Sequence, residues 1–384
     1  MDRRCQPDLI LLAVTLMLLG IGTIMIYSSS VPIAEKRFGS DSFFLERHVI
    51  RALVGLVVMF ILSSIDYHRW GRLSFALLLG SILLLILLFI PGFPYAATVN
   101  NVKRWLQMGP VTIQPSEVVK LTLIIYFAHT LARRQHYVHQ FASGFLPPVL
   151  ILVMICGLIL YQPDFGMAAT LVVMGLVLLY IGKASLRQLL ILGSAAVPCL
   201  AFYIYTAPYR LQRVQDFLAG NKDVQGIGYQ AQQALIGLGS GGLWGRGLGE
   251  GKQKLFYLPE AHTDFVFSII GEELGFVGTF IVMVLFLLVL WRGIRIAKRA
   301  PDLFGFLLAV GISFMIFSVS LLHIAVNCVL VPTTGMPLPF ISYGGSSILC
   351  TLAGIGILLN ISKQAGQVMV PESTMKQRLR AICH

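Results

Sequence analysis

Ten predominantly apolar runs of 17 to 28 residues constrain this chain more than any other feature. They lie at 9–27, 48–65, 73–91, 116–132, 145–161, 166–182, 187–207, 264–291, 303–327 and 345–361. A helix needs about 20 such residues to cross a hydrocarbon core about 30 Å thick. Only helices and closed barrels satisfy their own backbone polar groups at that depth. The composition agrees, with 57% of the 384 residues hydrophobic and 12% charged. Soluble domains carry about 25% charge, so a soluble multidomain chain is excluded. So is a disordered one, which needs high polarity. The expected fold is all-α: a polytopic membrane bundle of about ten transmembrane helices. Residues 1–384 form a single integral membrane domain, with one long extracytoplasmic loop at 208–263. Asp2-Arg3-Arg4 precedes the first run, which is too long for a signal-peptide core and lacks a following small-x-small cleavage site. It reads as an uncleaved first span.

Ten spans place both termini on one side. That side holds 16 Lys and Arg and the other 12, half of them in the one long loop. Short loops set orientation by their positive charge, which puts both termini in the cytoplasm. The formal net charge of +12 then follows from positive-inside bias and attraction to anionic lipid. No basic run is interleaved with aromatics, so nucleic acid is not an expected partner. Cations on the outer side have a sharper use, the binding of an anionic substrate. Cys5, Cys156, Cys199, Cys328, Cys350 and Cys383 contain no CxxC pair, so neither a disulfide framework nor a zinc site is expected.

The outer side then holds most of the unusual chemistry, in four segments. The first carries Lys103-Arg104-Trp105, Gly109-Pro110 and Gln114-Pro115-Ser116-Glu117 with Lys120. Pro115-Ser116 marks a helix start. Glu117 and Lys120, three apart, share a helical face and read either as a packing ion pair or as cavity lining. Lys103 and Arg104 suit a phosphate or a membrane interface equally. The second is Gln162-Pro163-Asp164, a tight turn in which Asp164 suits a helix cap. The third is the long loop, with ten glycines between Gly226 and Gly251, then Arg246, Lys252, Lys254 and Leu258-Pro-Glu-Ala-His262-Thr263-Asp264-Phe265. Its Gly237-x-Gly239-x-x-Gly242 lacks the strand–helix context of a dinucleotide site. Asp264 stands where the eighth span begins, as a cap or as a reactive carboxylate. Glu272 and Glu273 follow within the span, where two carboxylates need partners. The fourth runs from Pro332 to Ser347 with Pro337, Pro339, Ser342 and Ser346. It predicts a shaped, non-helical loop buried in protein or lining a cavity. His323 and Asn327, one turn apart in the ninth span, read as satisfied polar core residues.

Together these segments resemble the SEDS family (shape, elongation, division and sporulation) of bacterial cell-wall polymerases. The matching pieces are Lys103-Arg104-Trp105, Gln114-Pro115-Ser116-Glu117 with Lys120, Gln162-Pro163-Asp164, Leu258 to Phe265 with Gly271-Glu272-Glu273-Leu274-Gly275, and Pro337 to Ser347. They stand in family order over residues 100 to 360. Gly109-Pro110 and Thr334-Gly335-Met336-Pro337 make the cell-division FtsW type a better fit than the elongation RodA type.

The resemblance implies a peptidoglycan glycosyltransferase that polymerises lipid II at the outer leaflet, with Asp264 matching the family's proposed catalytic aspartate. By charge and side, Lys103, Arg104, Arg246 and Lys254 are the candidates for the pyrophosphate; the family pattern adds Glu117 and Lys120 as cavity lining, and His262, Ser342 and Ser346 complete the expected substrate-binding set. No cofactor is implied with certainty and no metal-ligand spacing is present; a divalent cation such as Mg2+ is left open. The implied partners are lipid II, a class B penicillin-binding protein, other division proteins and membrane lipid. The implied location is the bacterial inner membrane at the division septum. Two rivals share the span count and buried charges: a lipid II flippase and a non-catalytic division scaffold.

Overall fold

A computed structural model describes residues 6–365, apart from 91, 100, 101, 110, 136, 139, 207–210, 213, 214, 216 and 218–226. Each of the ten apolar runs becomes one helix. These are α1 (Leu9–Phe38), α2 (Phe43–Ser64), α3 (His68–Leu87), α4 (Pro115–Arg133), α5 (Leu146–Tyr161), α6 (Phe165–Ile181), α7 (Leu186–Tyr205), α9 (Val266–Arg299), α10 (Leu303–Asn327) and α11 (Gly345–Ala365). Seven of them, α1, α3, α5 with the turn before it, α7, α9, α10 and α11, are long and apolar enough to cross a membrane by themselves. α6 is a shorter apolar helix. α2 and α4 bury polar groups instead: His48 in α2, Glu117 and Lys120 in α4.

α11 is the central post, buried along most of its length and packed on α2, α4, α9 and α10. α7 lies at the periphery, with almost none of it buried. The apolar side chains it exposes, such as Val197, Phe202 and Tyr205, suit lipid. The expected helix signals hold locally. Pro115 opens α4, where its missing N–H costs nothing. Asp164 caps α6 by accepting from the Met167 N–H at 3.1 Å.

Two elements depart from the expected pattern. Residues between α3 and α4 form a three-stranded antiparallel sheet, β1 (Ala96–Val99), β2 (Val102–Met108) and β3 (Val111–Ile113). The long loop is not all loop: it contains the helix α8 (Ile227–Ser240), packed against α9. Much of 208–226, together with the basic positions Arg3, Arg4, Lys376, Arg378 and Arg380, Pro110, and the cysteines Cys5 and Cys383, lies outside the described residues.

α9 is broken. Gly275 sits at φ 68° and ψ −165°, and the segment after α8 repairs the break by exchanging backbone bonds. The Phe276 and Val277 N–H groups, denied their helical acceptors, donate to Gly242 O (2.9 Å) and Leu243 O (3.2 Å). The freed Glu272 and Glu273 carbonyls accept from Arg246 N and Gly247 N, both at 3.0 Å. Irregular backbone buried in a membrane protein must be satisfied this way. The approach needs glycine: a Cβ on Gly241 would lie 1.9 Å from Gly271 O, and one on Gly245 2.1 Å from Glu273 O.

Candidate functional site

The first of the four segments fixes a corner of the site. Arg104 on β2 donates to Gln162 O (Nε, 2.9 Å) and Pro163 O (Nη2, 2.6 Å), with Asp164 Oδ2 3.9 Å from Nη1. It thereby clamps the sheet to the α5–α6 turn. Burial pushes the Asp164 carboxyl up, while Arg104 and the Met167 N–H pull it down. Lys103, its neighbour, is half-buried and forms no ion pair among the described residues. Glu117 and Lys120, one turn apart on α4, are both buried and paired at 2.8 Å. Ser346, at the start of α11, accepts from Gln114 N (2.8 Å) and donates to Thr112 O (3.2 Å). It ties α11 to the β3–α4 junction.

The adjacent carboxylates of α9 find the partners that burial demands. Glu273 is fully buried and holds Lys254 Nζ at 2.7 Å. It also accepts from Ser28 Oγ on α1, at 2.6 and 2.7 Å to its two oxygens. Lys254 reaches Ser28 Oγ as well, at 3.0 Å. Glu272 accepts from Lys252 N (2.8 Å) and Gln253 N (3.1 Å), with Arg246 Nη1 3.6 Å away. Arg246 stays partly exposed and also donates to Ser240 O at 3.2 Å. These two carboxylates therefore anchor the glycine-rich segment onto the first half of α9.

The fourth segment folds back into the bundle, as its proline and glycine pattern predicts. Met336, Leu338, Phe340, Ile341 and Ser342 are buried. The Phe340 carbonyl rests so close to Gly22 of α1 that a Cβ there would meet it at 2.4 Å. His323 Nδ1 lies 2.8 Å from Met336 O and holds the descending limb.

Asp264 stands where this loop meets the 258–265 segment. Ser342 Oγ donates to Thr263 O (2.6 Å) and accepts from Leu338 N (2.8 Å). Tyr343 N donates to His262 O at 3.0 Å. Asn327, the last residue of α10, donates from Nδ2 to Asp264 O (3.2 Å) and accepts from Ser268 N (3.0 Å) and Ser268 Oγ (2.8 Å). The α9 cap position is Phe265, with no side-chain cap bond, so Asp264 is not the helix cap. Its carboxylate faces Gly335, where a Cβ would lie 3.5 Å from Oδ2. Asp264 is partly exposed, unlike the buried Glu117, Asp164, Glu272 and Glu273. His262 is buried between Phe44 (ring centroids 4.8 Å) and Tyr343 (5.9 Å). Burial lowers its pKa, with Glu260 opposing and Arg37 assisting.

The four segments thus gather in three places, the first being the corner where Arg104 holds the 162–164 turn and Ser346 holds the β3–α4 junction. Asp264, His262 and Ser342 meet at the mouth of the folded-back loop. Glu273, Lys254 and Ser28, with Glu272 and Arg246 beside them, form an ionic latch around the break in α9. Three contributors carry no mark in the motif pattern: Ser28, Ser268 and Arg51, whose guanidinium lies over Tyr343 at 4.8 Å and against Gly345. The Tyr27-Ser-Ser-Ser30 end of the first apolar run is the available signal for Ser28. No group of three or more His, Cys, Asp or Glu with metal-binding geometry occurs among the described residues.

A helical membrane bundle with one small sheet, a folded-back loop and a partly exposed aspartate beside it defines a class of multi-pass membrane proteins. A family description, "Cell cycle protein", covering FtsW, RodA and SpoVE, matches residues 9–367. The chain is 43% identical to the probable peptidoglycan glycosyltransferase FtsW of Trichlorobacter lovleyi, over 96% of each chain. It is 40% identical to the stage V sporulation protein E of Bacillus subtilis, over 94% of this chain and 98% of that one. Among solved structures it resembles a chain of a peptidoglycan synthase complex that coordinates polymerization and crosslinking (TM-score 0.76, 27% identity, 94% and 99% covered). It also resembles the rod shape determining protein RodA of Thermus thermophilus (TM-score 0.68, 27% identity, 93% and 97% covered). This chain belongs to the FtsW/RodA/SpoVE family, the SEDS proteins, and is a multi-pass bacterial membrane protein.

Proposed function

We propose that the chain is a peptidoglycan glycosyltransferase of the septal type, polymerising lipid II at the outer face of the inner membrane with both termini in the cytoplasm. The reaction joins the C4 hydroxyl of an acceptor sugar to C1 of a lipid-pyrophosphate donor. The α-linked donor becomes a β-linked product, so one inverting displacement suffices. That step needs a base for the hydroxyl proton and positive charge for the departing pyrophosphate. A positioned base contributes about 10²–10⁴-fold, and electrostatic stabilisation is often the larger contribution.

Asp264 is the base. The carrying observation is its setting: backbone clamped by Asn327 and the Glu260 carbonyl, carboxylate partly exposed beside Gly335. Glu117, Asp164, Glu272 and Glu273 are spent on buried structural contacts. Lys103, with no ion pair among the described residues, and Arg246, partly exposed beside Glu272, are the cations we assign to the pyrophosphate. Arg104, Lys254, Ser342 and Ser346 support the reaction by fixing the segments around Asp264, and the Glu117–Lys120 pair is buried in α4. His262 positions the Asp264 segment through its packing on Phe44 and Tyr343. The identity to proteins named peptidoglycan glycosyltransferase supports this reading, and the likeness to a synthase-complex chain supports a cross-linking penicillin-binding partner.

Reconstitution separates polymerase from flippase. Purified chain with its penicillin-binding partner, supplied with lipid II in liposomes, should yield a glycan ladder on a gel. Transbilayer movement of labelled lipid II with no ladder would replace the polymerase by the flippase.

A further inference from the structure

At the bundle end opposite Asp264, a cavity of about 320 Å³ opens between the start of α1 and the last turns of α9 and α11. Its polar wall contains Arg292, Arg295 and Arg299 from α9, with Ser362 and the Asp8 carboxylate opposite. Arg292 is locked in place: Nη2 and Nε lie 2.5 and 3.0 Å from Asp8 Oδ2. Asp8 is itself fixed, its N–H donating to Ser362 Oγ at 3.0 Å and its Oδ1 accepting from Leu11 N at 2.9 Å. Arg295 and Arg299 are exposed and form no ion pair among the described residues. Among the described residues, three guanidiniums against one carboxylate leave the cavity with two positive charges. Its rim is apolar: Leu9 and Ile10 are 60% and 49% exposed where α1 enters the membrane. Trp291 stands beside it, with the Arg292 and Arg295 guanidiniums 5.4 and 5.5 Å from its ring.

We propose that this cavity binds the phosphate headgroup of an anionic glycerophospholipid, with the acyl chains running over Leu9, Ile10 and Trp291. Basic residues at a helix end also serve orientation and the helix dipole, and neither role requires a concavity. Here one arginine is built into a rigid wall while two others face the opening. Guanidinium forks suit phosphate geometry, and basic pockets between helix ends suit anionic headgroups. The apolar rim favours a lipid over a free phosphate. The site is independent of the glycosyl-transfer reading, and its test does not use activity.

The test uses the full chain in neutral detergent. Phosphatidylglycerol, phosphatidylcholine and glycerol 3-phosphate are titrated separately, with thermal denaturation and native mass spectrometry as readouts. Phosphatidylglycerol should raise the Tm and be retained, and phosphatidylcholine should do neither. R295Q/R299Q should keep the lipid-free Tm and bind phosphatidylglycerol at least fivefold more weakly. Undiminished retention in that variant overturns the site. Stabilisation by glycerol 3-phosphate equal to that by phosphatidylglycerol overturns the lipid assignment. Should the double variant not fold, R299Q alone is read against the same criteria.

Discussion

The ionic latch around the α9 break makes a quantitative prediction. Lys254→Met leaves Glu273, fully buried, with the Ser28 hydroxyl as its one side-chain partner among the described residues. Removing one partner of a buried pair costs about 3–5 kcal/mol, because the other charge stays buried. Glu273→Gln strands Lys254 in the same way and should cost a similar amount. With both substitutions together, the new amide still bonds Ser28 and the thioether chain fills the lysine's apolar path. Stability should then return to within about 1–2 kcal/mol of the wild type, since apolar replacement of a buried pair is often near neutral. Single costs of about 3–5 kcal/mol each against about 1–2 for the pair set the expected coupling at about 4 kcal/mol or more, above the usual range for contacting residues. Unfolding in mixed micelles of rising SDS fraction, followed by tryptophan fluorescence, gives all four corners of the cycle. Additive single effects, or a Lys254→Met cost below about 1 kcal/mol, would refute the latch. A lysine reserved for pyrophosphate would instead lower lipid affinity and leave stability unchanged.

Three further outcomes follow from the same geometry. Gly245→Ala adds a Cβ 2.1 Å from Glu273 O at φ +82°, so it should lower stability by at least about 2 kcal/mol, read as a lower SDS midpoint. Ser342→Ala orphans the buried Leu338 N–H and frees Thr263 O, costing about 1–3 kcal/mol. Glycan synthesis should fall with it, as the Asp264 segment loses a clamp, and Ser342→Thr should restore part of both. His262 is held below its ordinary pKa of 6.5 by burial, so the unfolded chain binds its proton first. Its stabilising contribution is complete above 6.5 and is lost as pH falls below that value. Thermal denaturation between pH 7.5 and 5 should show a decline that His262→Gln flattens.

Every span was legible because its signal is cumulative: one run of about 20 apolar residues carries many kilocalories of transfer free energy, and no alternative structure can use it. Caps and turns such as Pro115 and Asp164 were legible because their cause is local. β1–β3 were not, since strands of 3–7 residues lie near the lower limit of any periodic signal. α8 hid among Gly228, Gly237 and Gly239, although Ala231 and Ala234 at helical spacing mark its buried face. The need of Glu272 and Glu273 for partners could be read from burial cost alone. Their identity could not, because Ser28 is 245 residues from Glu273 and the α9 break that positions Lys254 is a tertiary event. The clamp on Asp264 was likewise invisible. Asn327 reaches its carbonyl from 63 residues away and Ser342 reaches the neighbouring Thr263 from 79, and neither spacing has a local cause.

Asp264 is proposed to perform the proton transfer while the segments around it are scaffold. This is tested most directly by lipid II polymerisation with Asp264→Asn beside the wild type, both with the penicillin-binding partner, and with lipid II binding and SDS midpoint measured on the same preparations. The account predicts loss of the glycan ladder with binding retained and the midpoint unchanged. A ladder of wild-type intensity from a folded Asp264→Asn protein would contradict it and move the base elsewhere.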